Sequence, residues 1–223
     1  AIMAVAQPIS GDFNARRLRH LQPAKLAAME GQFQTRACAP LRIGGIPFPA
    51  EERTRFALEI PCGLSILAAR DPDAVILGLQ EFPPEDRPPA PVVHIAFQIM
   101  VGIGFFLLAL AAWTAWLAWR RRPLHTQRRF LRLLVIAGPL AFIAIEAGWT
   151  VTEVGRQPWI IYGIMRVGDA VTPMPGLVVP FTAFTLLYIV LSAIIVVLMR
   201  RQVAASPRIP TPAGDRTRTH DRP

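Results

Sequence analysis

The sequence predicts an all-α integral membrane protein with three transmembrane helices and a long extracytoplasmic loop that contains short helices. Of its 223 residues, 52% are hydrophobic and only 17% are charged, a low charge content for a soluble domain. Three apolar stretches, at 92–119, 133–152 and 176–199, are each near the roughly 20 residues that a helix needs to cross a bilayer. The polar segment before them is too poor in core residues to fold alone, so we expect it to lie on a membrane partner.

The segments around these spans follow from composition. The chain opens on a short apolar run without an initiator Met, so we expect it to be the C-terminal part of a longer protein. Within the polar segment, Pro in a first turn and a following Gly predict a short helix at 22–31, whereas 35–61 is expected to be an ordered loop. The predicted organisation is the end of a preceding membrane helix at 1–6, an extracytoplasmic loop at 7–91, a transmembrane helix at 92–119, a basic cytoplasmic loop at 120–132, a second transmembrane helix at 133–152, an extracytoplasmic loop at 153–175, a third transmembrane helix at 176–199 and a disordered cytoplasmic tail at 200–223.

The net charge of +9 is unevenly distributed, and its distribution predicts the topology. Residues 120–132 hold six Arg and no acidic residue, and residues 200–223 hold six Arg and two Asp. Such clusters are also found in nucleic-acid-binding proteins. Here they directly follow hydrophobic spans, so positive-inside topology is the simpler account and we expect no nucleic-acid partner. Both clusters are then cytoplasmic, and the loops at 7–91 and 153–175 lie on the outer side.

Two cysteines, Cys38 and Cys62, lie in the polar segment without the spacing of a metal site. A disulfide between them is compatible with an extracytoplasmic loop. Two unpaired thiols are an equally good interpretation, and the sequence leaves both open.

Two carboxylates, Glu146 and Glu153, lie at or inside the outer edge of the second span. Seven residues separate them, or about 700° of helical rotation, so they share one face with Trp149 between them. Arg156 follows at the rim, where its guanidinium could hold a carboxylate. An anchor belt at the headgroup boundary would explain Trp159 but leaves Glu146 unexplained, because an ionisable group at that depth is expensive. We therefore favour a functional face.

The first span offers a second candidate, Met100. A thioether can ligate haem iron, and Gly104, one turn further along the same side, would let a flat macrocycle approach. His94 lies on a different face, so one helix cannot supply both His94 and Met100 to one iron. By pattern alone, an apolar Met beside glycines is more typical of helix packing. In the short helix at 22–31, the spacing of Lys25 and Glu30 taken alone favours an exposed helix with a weak charge pair.

Three motifs in this order give the chain a resemblance to subunit I of the cytochrome bd quinol oxidases. They are QPAKLAAMEG at 22–31, FQIMVGIG at 97–104 and GWTVTEVGRQPW at 148–159. The first resembles the start of the quinol-binding loop of the family, and the modest length of the loop is similar to that of the cyanide-insensitive branch. The resemblance covers the C-terminal half of the subunit.

The resemblance implies roles for individual residues. Met100 is the expected axial ligand of haem b558, and Glu153 is the expected ligand or near-ligand of haem b595. Trp149 would pack between haems and Arg156 would pair with haem propionates, while Gly104, His94 and Gln98 belong to the haem environment. His94 is expected at the interface or on the propionate side, and Gln98 departs from an Arg found in some members. Lys25 and Glu30 would bind quinol, and Glu146 would line a proton path.

The function implied is that of a respiratory terminal oxidase in the bacterial cytoplasmic (inner) membrane, which oxidises quinol on the periplasmic side and reduces oxygen to water. The expected cofactors are haem b558, haem b595 and haem d, or a b-type haem in its place. The expected partners are quinol, oxygen, subunit II, the N-terminal half of subunit I and the lipid bilayer. The fragment alone is expected to be inactive. A different interpretation is a transporter bundle with Glu146 and Glu153 in its proton path, and a third is a membrane interaction subunit without chemistry.

Overall fold

The computed structural model describes residues 2–171 and 173–205 and consists of two compact units, residues 1–171 and 172–223. The first unit contains five helices and two small antiparallel sheets among its described residues. Its elements are α1 (Ile2–Leu21), α2 (Pro23–Met29), β1 (Leu41–Phe48), β2 (Arg53–Ile60), α3 (Gly63–Ala69), α4 (Ala90–Trp119), α5 (Arg128–Val154), β3 (Trp159–Ile161) and β4 (Met165–Arg166). The second unit contains α6 (Val178–Ala204).

Three of the described helices, α4, α5 and α6, are long and apolar enough to cross a membrane. The prediction of three membrane helices in a mostly helical chain is therefore confirmed, whereas the predicted all-α class is wrong, because the structure also contains the strands β1–β4. α4 begins just after Pro89 with a second Pro in its first turn, where the missing N–H costs nothing. α6 continues to Ala204, so the first five residues of the predicted disordered tail are helical, and residues 206–223 lie outside the described residues.

Helices α4 and α5 pack against each other along their apolar faces. Leu110 and Leu117 of α4 are buried with Phe130 and Ala137 of α5. The Trp113 ring meets the Phe130 ring edge-on, with 5.8 Å between centroids and 75° between planes. This pairing fixes which side of α5 faces its neighbour and leaves the opposite side uncovered within the unit.

The segment before α4 lies on the end of the α4–α5 pair. The run expected to end a helix at residue 6 continues as one helix, α1, to Leu21. α2 buries Ala27, Ala28 and Met29 against Val93 of α4 and Val151 of α5. The predicted short helix is confirmed, and it is tied directly to both membrane helices. The position of this segment relative to a bilayer stays a prediction.

The expectation of an ordered loop at 35–61 is wrong, because β1 and β2 form an antiparallel hairpin there. Leu41 pairs with Ile60 at one end and Phe48 with Arg53 at the other. Cys38 and Cys62 flank the hairpin and form a disulfide, so the structure favours the paired cysteines of the two alternatives. The bridge closes the base of the hairpin beside α3.

A second small sheet, β3–β4, follows α5. Arg166 lies over the Trp159 ring at 5.0 Å from its centroid and pairs with Asp86 at 2.6 Å. Because Asp86 precedes α4, this contact joins the segments that flank the two membrane helices at the same end.

Candidate functional site

Glu30 is a buried carboxyl group at the C-terminal end of α2. Its residue is 2% exposed, and its Oε2 atom has no hydrogen-bond partner among the described residues. Burial raises the pKa of Glu30 to about 7, against a smaller lowering by the Arg42 guanidinium. The alternative of an exposed helix with a weak charge pair is therefore wrong for this residue. A buried carboxyl with a pKa near neutrality can exchange a proton at physiological pH.

The hairpin holds the two residues that follow Glu30. Thr54 Oγ1 donates to the Gly31 carbonyl oxygen at 2.8 Å, and Arg42 Nη1 donates to the same oxygen at 3.1 Å. Arg42 Nη1 also lies 2.6 Å from Gln32 Oε1, and its Nε lies 2.8 Å from Glu59 Oε1. The backbone after Glu30 is thus fixed by side chains from both strands.

His94, at the start of α4, holds the other flank of Glu30. Its ring is completely buried, with Nδ1 at 2.7 Å from the Met29 carbonyl oxygen and Nε2 at 3.0 Å from the Gly44 carbonyl oxygen. A carbonyl oxygen only accepts and a neutral imidazole carries one N–H, so a single tautomer donates to one of these two carbonyls. The expected place of His94, at the interface or beside a propionate, stays a prediction, and in the structure both ring nitrogens face backbone carbonyls of the preceding segment.

Gln98 also contacts the hairpin rather than an open surface. Its Oε1 accepts from the Gly44 N–H at 3.0 Å, and its Nε2 donates to the Arg42 carbonyl oxygen at 2.9 Å. His94 and Gln98 are one helical turn apart on α4, so both contact the same part of β1. Gln98 therefore contacts the N–H of Gly44, and His94 contacts its carbonyl oxygen.

Lys25 connects α2 with the end of α5. Its Nζ donates to the Thr152 carbonyl oxygen at 3.2 Å. Gly155 makes room for this approach, because a Cβ there would lie 3.2 Å from Lys25 Cε. Burial lowers the pKa of Lys25, as does the Arg156 guanidinium, against an opposite effect of Glu153. The structure therefore brings together Lys25, Glu153 and Arg156, which the sequence assigned to two different sites.

The acidic face of α5 points away from α4. Glu146 is exposed within its unit, Trp149 is 62% exposed, and the Glu153 side chain is 43% exposed. Arg156 Nη2 lies 3.9 Å from Glu153 Oε1, a long ion pair. Carboxylates at the depth of a membrane span require a polar or protein-lined environment. This face therefore requires cover that the unit itself does not provide.

The surface of α4 around Met100 leaves room for a haem on one side, and α5 occupies the other. Its Sδ lies against Gly148 of α5, where an added Cβ would come within 3.0 Å. Apart from the chain neighbours of Gly104 and the backbone of α4, no heavy atom of the described residues lies within 4 Å of a Cβ added to Gly104, so that side of α4 is open to a flat group. A thioether beside such a surface suits low-spin haem iron. Among the described residues, no three His, Cys, Asp or Glu side chains form a cluster that could hold a metal ion.

Sequence reasoning missed Arg42 and Thr54, which contact the backbone beside Glu30. Their positions depend on the hairpin, which was not predicted. A signal was present, because Phe56, Leu58 and Ile60 alternate with other residues in the manner of a strand.

Comparisons with known proteins agree with the motifs. Residues 1–207 match the family described as cytochrome bd terminal oxidase subunit I. The chain is 41% identical over 198 residues to a Bacillus subtilis (strain 168) protein named "Putative cytochrome bd menaquinol oxidase subunit I", a match covering 87% of this chain and 44% of the relative. It is 31% identical over 227 residues to the cytochrome bd-II ubiquinol oxidase subunit 1 of Escherichia coli (strain K12), covering 72% and 44%.

A solved structure gives the same result. The bd oxidase from Geobacillus thermodenitrificans superposes with a TM-score of 0.77 at 42% identity, over 92% of this chain and 47% of that one. This chain thus spans less than half the length of the relatives it matches. With three membrane helices and a family match over nearly its whole length, the chain belongs to the cytochrome bd oxidase subunit I family of bacterial membrane proteins.

Proposed function

We propose that this chain forms part of a haem-containing respiratory terminal oxidase that oxidises quinol, reduces oxygen to water and contributes to the proton motive force. One observation carries the proposal: α2, with Lys25 and Glu30, is hydrogen-bonded to both helices that hold the proposed haem ligands. His94 of α4 binds the Met29 carbonyl, and Lys25 binds the Thr152 carbonyl of α5. A quinol held by α2 would therefore lie beside both helices.

The proposed activity belongs to a larger assembly. The matched relatives are about twice as long as this chain. We expect the other half of subunit I to supply the histidine ligands and subunit II to complete the complex, while the fragment alone is inactive. In this proposal the quinol loop lies on the periplasmic side of the cytoplasmic membrane, and the Arg-rich turn at 120–132 lies on the cytoplasmic side.

Haems b558, b595 and d, or a b-type haem in place of d, would supply the electron path from quinol to oxygen when bound. Met100 would hold the b558 iron through its thioether, and Gly104 would leave room beside it. Glu153 would be a ligand or near-ligand of b595, with Trp149 on the same face. Arg156, close to Glu153, would meet propionates. His94 and Gln98, which the resemblance also places in the haem environment, have their polar atoms occupied by the loop.

The quinol residues have complementary tasks. Oxidation of a quinol releases protons, and the Glu30 carboxylate would accept one from a hydroxyl group. Lys25 would orient an oxygen of the quinol while remaining against α5. Glu146, deeper on the uncovered face of α5, would line the path that brings protons to the site of oxygen reduction.

The test is a reduced-minus-oxidised optical spectrum of membranes that carry the full-length subunit and its partner. We expect Met100→Leu to lose the low-spin b band and keep the high-spin bands, because it removes one axial ligand without changing the volume greatly. Met199→Leu, the same change in α6, is the control and should leave all bands unchanged. An unchanged Met100→Leu spectrum would return Met100 to helix packing, and absence of haem bands in the wild type would favour the transporter interpretation.

A further inference from the structure

Side chains from other elements contact the backbone carbonyls of the residues before and after Glu30. On one side, His94 of α4 binds the carbonyl of Met29, which belongs to the peptide unit that joins Met29 to Glu30. On the other side, Thr54 of β2 and Arg42 of β1 bind the carbonyl of Gly31. The carbonyls of the residues before and after Glu30 are therefore both held, while Glu30 Oε2 is left without a partner among the described residues.

The hairpin that contributes Thr54 and Arg42 is itself attached to α4. Gln98 binds the Arg42 carbonyl and the Gly44 N–H, and His94 binds the Gly44 carbonyl. α4 thus reaches Glu30 by two routes, directly through His94 Nδ1 and indirectly through the hairpin. Both routes start within two turns of Met100 on the same helix.

We propose that His94, with Thr54 and Arg42, is a positioning residue that holds Glu30 at a fixed place relative to α4, and so sets how a bound quinol meets Glu30. This inference rests on the proposed function. It assigns to His94 the task of fixing the carboxylate that accepts the proton, in place of contact with haem. The completely buried ring and its two backbone contacts are what a rigid support requires.

The geometry separates the two ring contacts of His94. The amide nitrogen of an Asn side chain reaches about as far as Nδ1, so His94→Asn should keep the hydrogen bond to the Met29 carbonyl. The longer Gln reaches towards the position of Nε2, so His94→Gln should keep the hydrogen bond to the Gly44 carbonyl and lose the one beside Glu30. The two variants therefore test which contact matters for Glu30.

The experiment uses the full-length oxidase with its partner subunit and measures oxygen consumption at varied quinol concentration. We expect kcat/KM for quinol to fall about tenfold in His94→Gln and to stay within about threefold of wild type in His94→Asn, the scale of one lost hydrogen bond. Thr54→Val removes the hydroxyl group that donates to the Gly31 carbonyl, at nearly constant side-chain volume. This variant should lower kcat/KM by about threefold to tenfold. His125→Gln in the α4–α5 turn and Thr182→Val in α6 are the matched controls and should behave as wild type.

The dithionite-reduced spectrum of each variant separates this inference from the proposed function. Wild-type protein without haem bands would contradict the proposed function. Haem bands with equal kcat/KM in wild type, His94→Gln and Thr54→Val would overturn the positioning role, as would equal losses in His94→Asn and His94→Gln. If His94→Gln loses its haem bands through misfolding, Thr54→Val decides: a lowered kcat/KM with intact bands supports the positioning role, and an unchanged one overturns it.

Discussion

Glu30 carries the clearest pH dependence in the chain. Burial raises its pKa to about 7 from the usual value of 4.5, so the carboxylate needed to accept a proton is present above pH 7 and is lost below it. If Glu30 accepts the quinol proton, kcat/KM for quinol should fall as the pH is lowered through about 7. We expect Glu30→Gln to remove this limb of the profile and to lower the plateau by about 10²-fold or more, the usual scale of general base catalysis.

The measurement is oxygen consumption by the full-length oxidase between pH 5 and 9. Glu85→Gln is the matched control, because Glu85 is an exposed carboxyl in the same polar segment. A limb near pH 7 that persists in Glu30→Gln would assign the titration to another group. It would leave Glu30 as a structural residue.

Individual side chains differ in how far the sequence could predict them. Lys25 and Glu30 could be predicted from the resemblance of QPAKLAAMEG to the quinol loop of the family, although their spacing alone favours an exposed charge pair. The partners of His94 and Gln98 could not, because both side chains bind backbone atoms of residues 42–44. Backbone acceptors are the same at every residue, so no side-chain pattern marks them.

At the scale of elements, the exit from α2 depends on Gly31. Its φ is +59°, in the left-handed region, and a Cβ there would lie 2.6 Å from Thr54 Oγ1. Gly31→Ala should therefore cost about 1–3 kcal/mol for the backbone alone, and more for the displaced Thr54. We expect it to lower the temperature at which the full oxidase loses quinol oxidation, with each variant normalised to its own activity at low temperature.

Gly11→Ala gives the opposite expectation. Gly11 lies inside α1, and no heavy atom of the described residues lies within 4 Å of an added Cβ. Ala is favoured over Gly in a helix by roughly 0.5–1 kcal/mol, so this variant should match or exceed the wild type in thermal inactivation. Equal behaviour of Gly31→Ala and Gly11→Ala would contradict the role assigned to the α2 exit.

The long helices were predictable and the hairpin was not, for a physical reason. A span of about 20 apolar residues is required by the bilayer and has few alternative interpretations. The hairpin has Pro47 and two glycines in β1, which resemble loop residues, and only β2 alternates clearly. Its stability comes instead from non-local contacts: the Cys38–Cys62 bridge and the side chains of α4.

At the scale of the whole molecule, one face of α5 is uncovered within the unit formed by residues 1–171. Glu146 and Trp149 are exposed on the side opposite α4, at a depth where a carboxylate facing lipid would be unfavourable. The chain spans less than half the length of its relatives, so the missing cover is consistent with sequence that this chain does not contain. Periodicity could predict that the two carboxylates share a face. It could not predict which residues cover that face.

The topology of the whole molecule can be tested with its two cysteines. Positive-inside charge predicts that the turn at 120–132 is cytoplasmic and that the Cys38–Cys62 bridge, across α4, lies on the outer side. After treatment with a membrane-impermeant reductant, an impermeant maleimide should label wild-type protein in right-side-out vesicles. Cys38→Ser with Cys62→Ser provides the background from other thiols. Leu124→Cys in that background, placed in the turn between α4 and α5, should be labelled only in inverted vesicles.

The opposite pattern would put the quinol loop in the cytoplasm. The six Arg of the turn would then have been translocated against the charge rule, and the proposed side of quinol oxidation would be wrong.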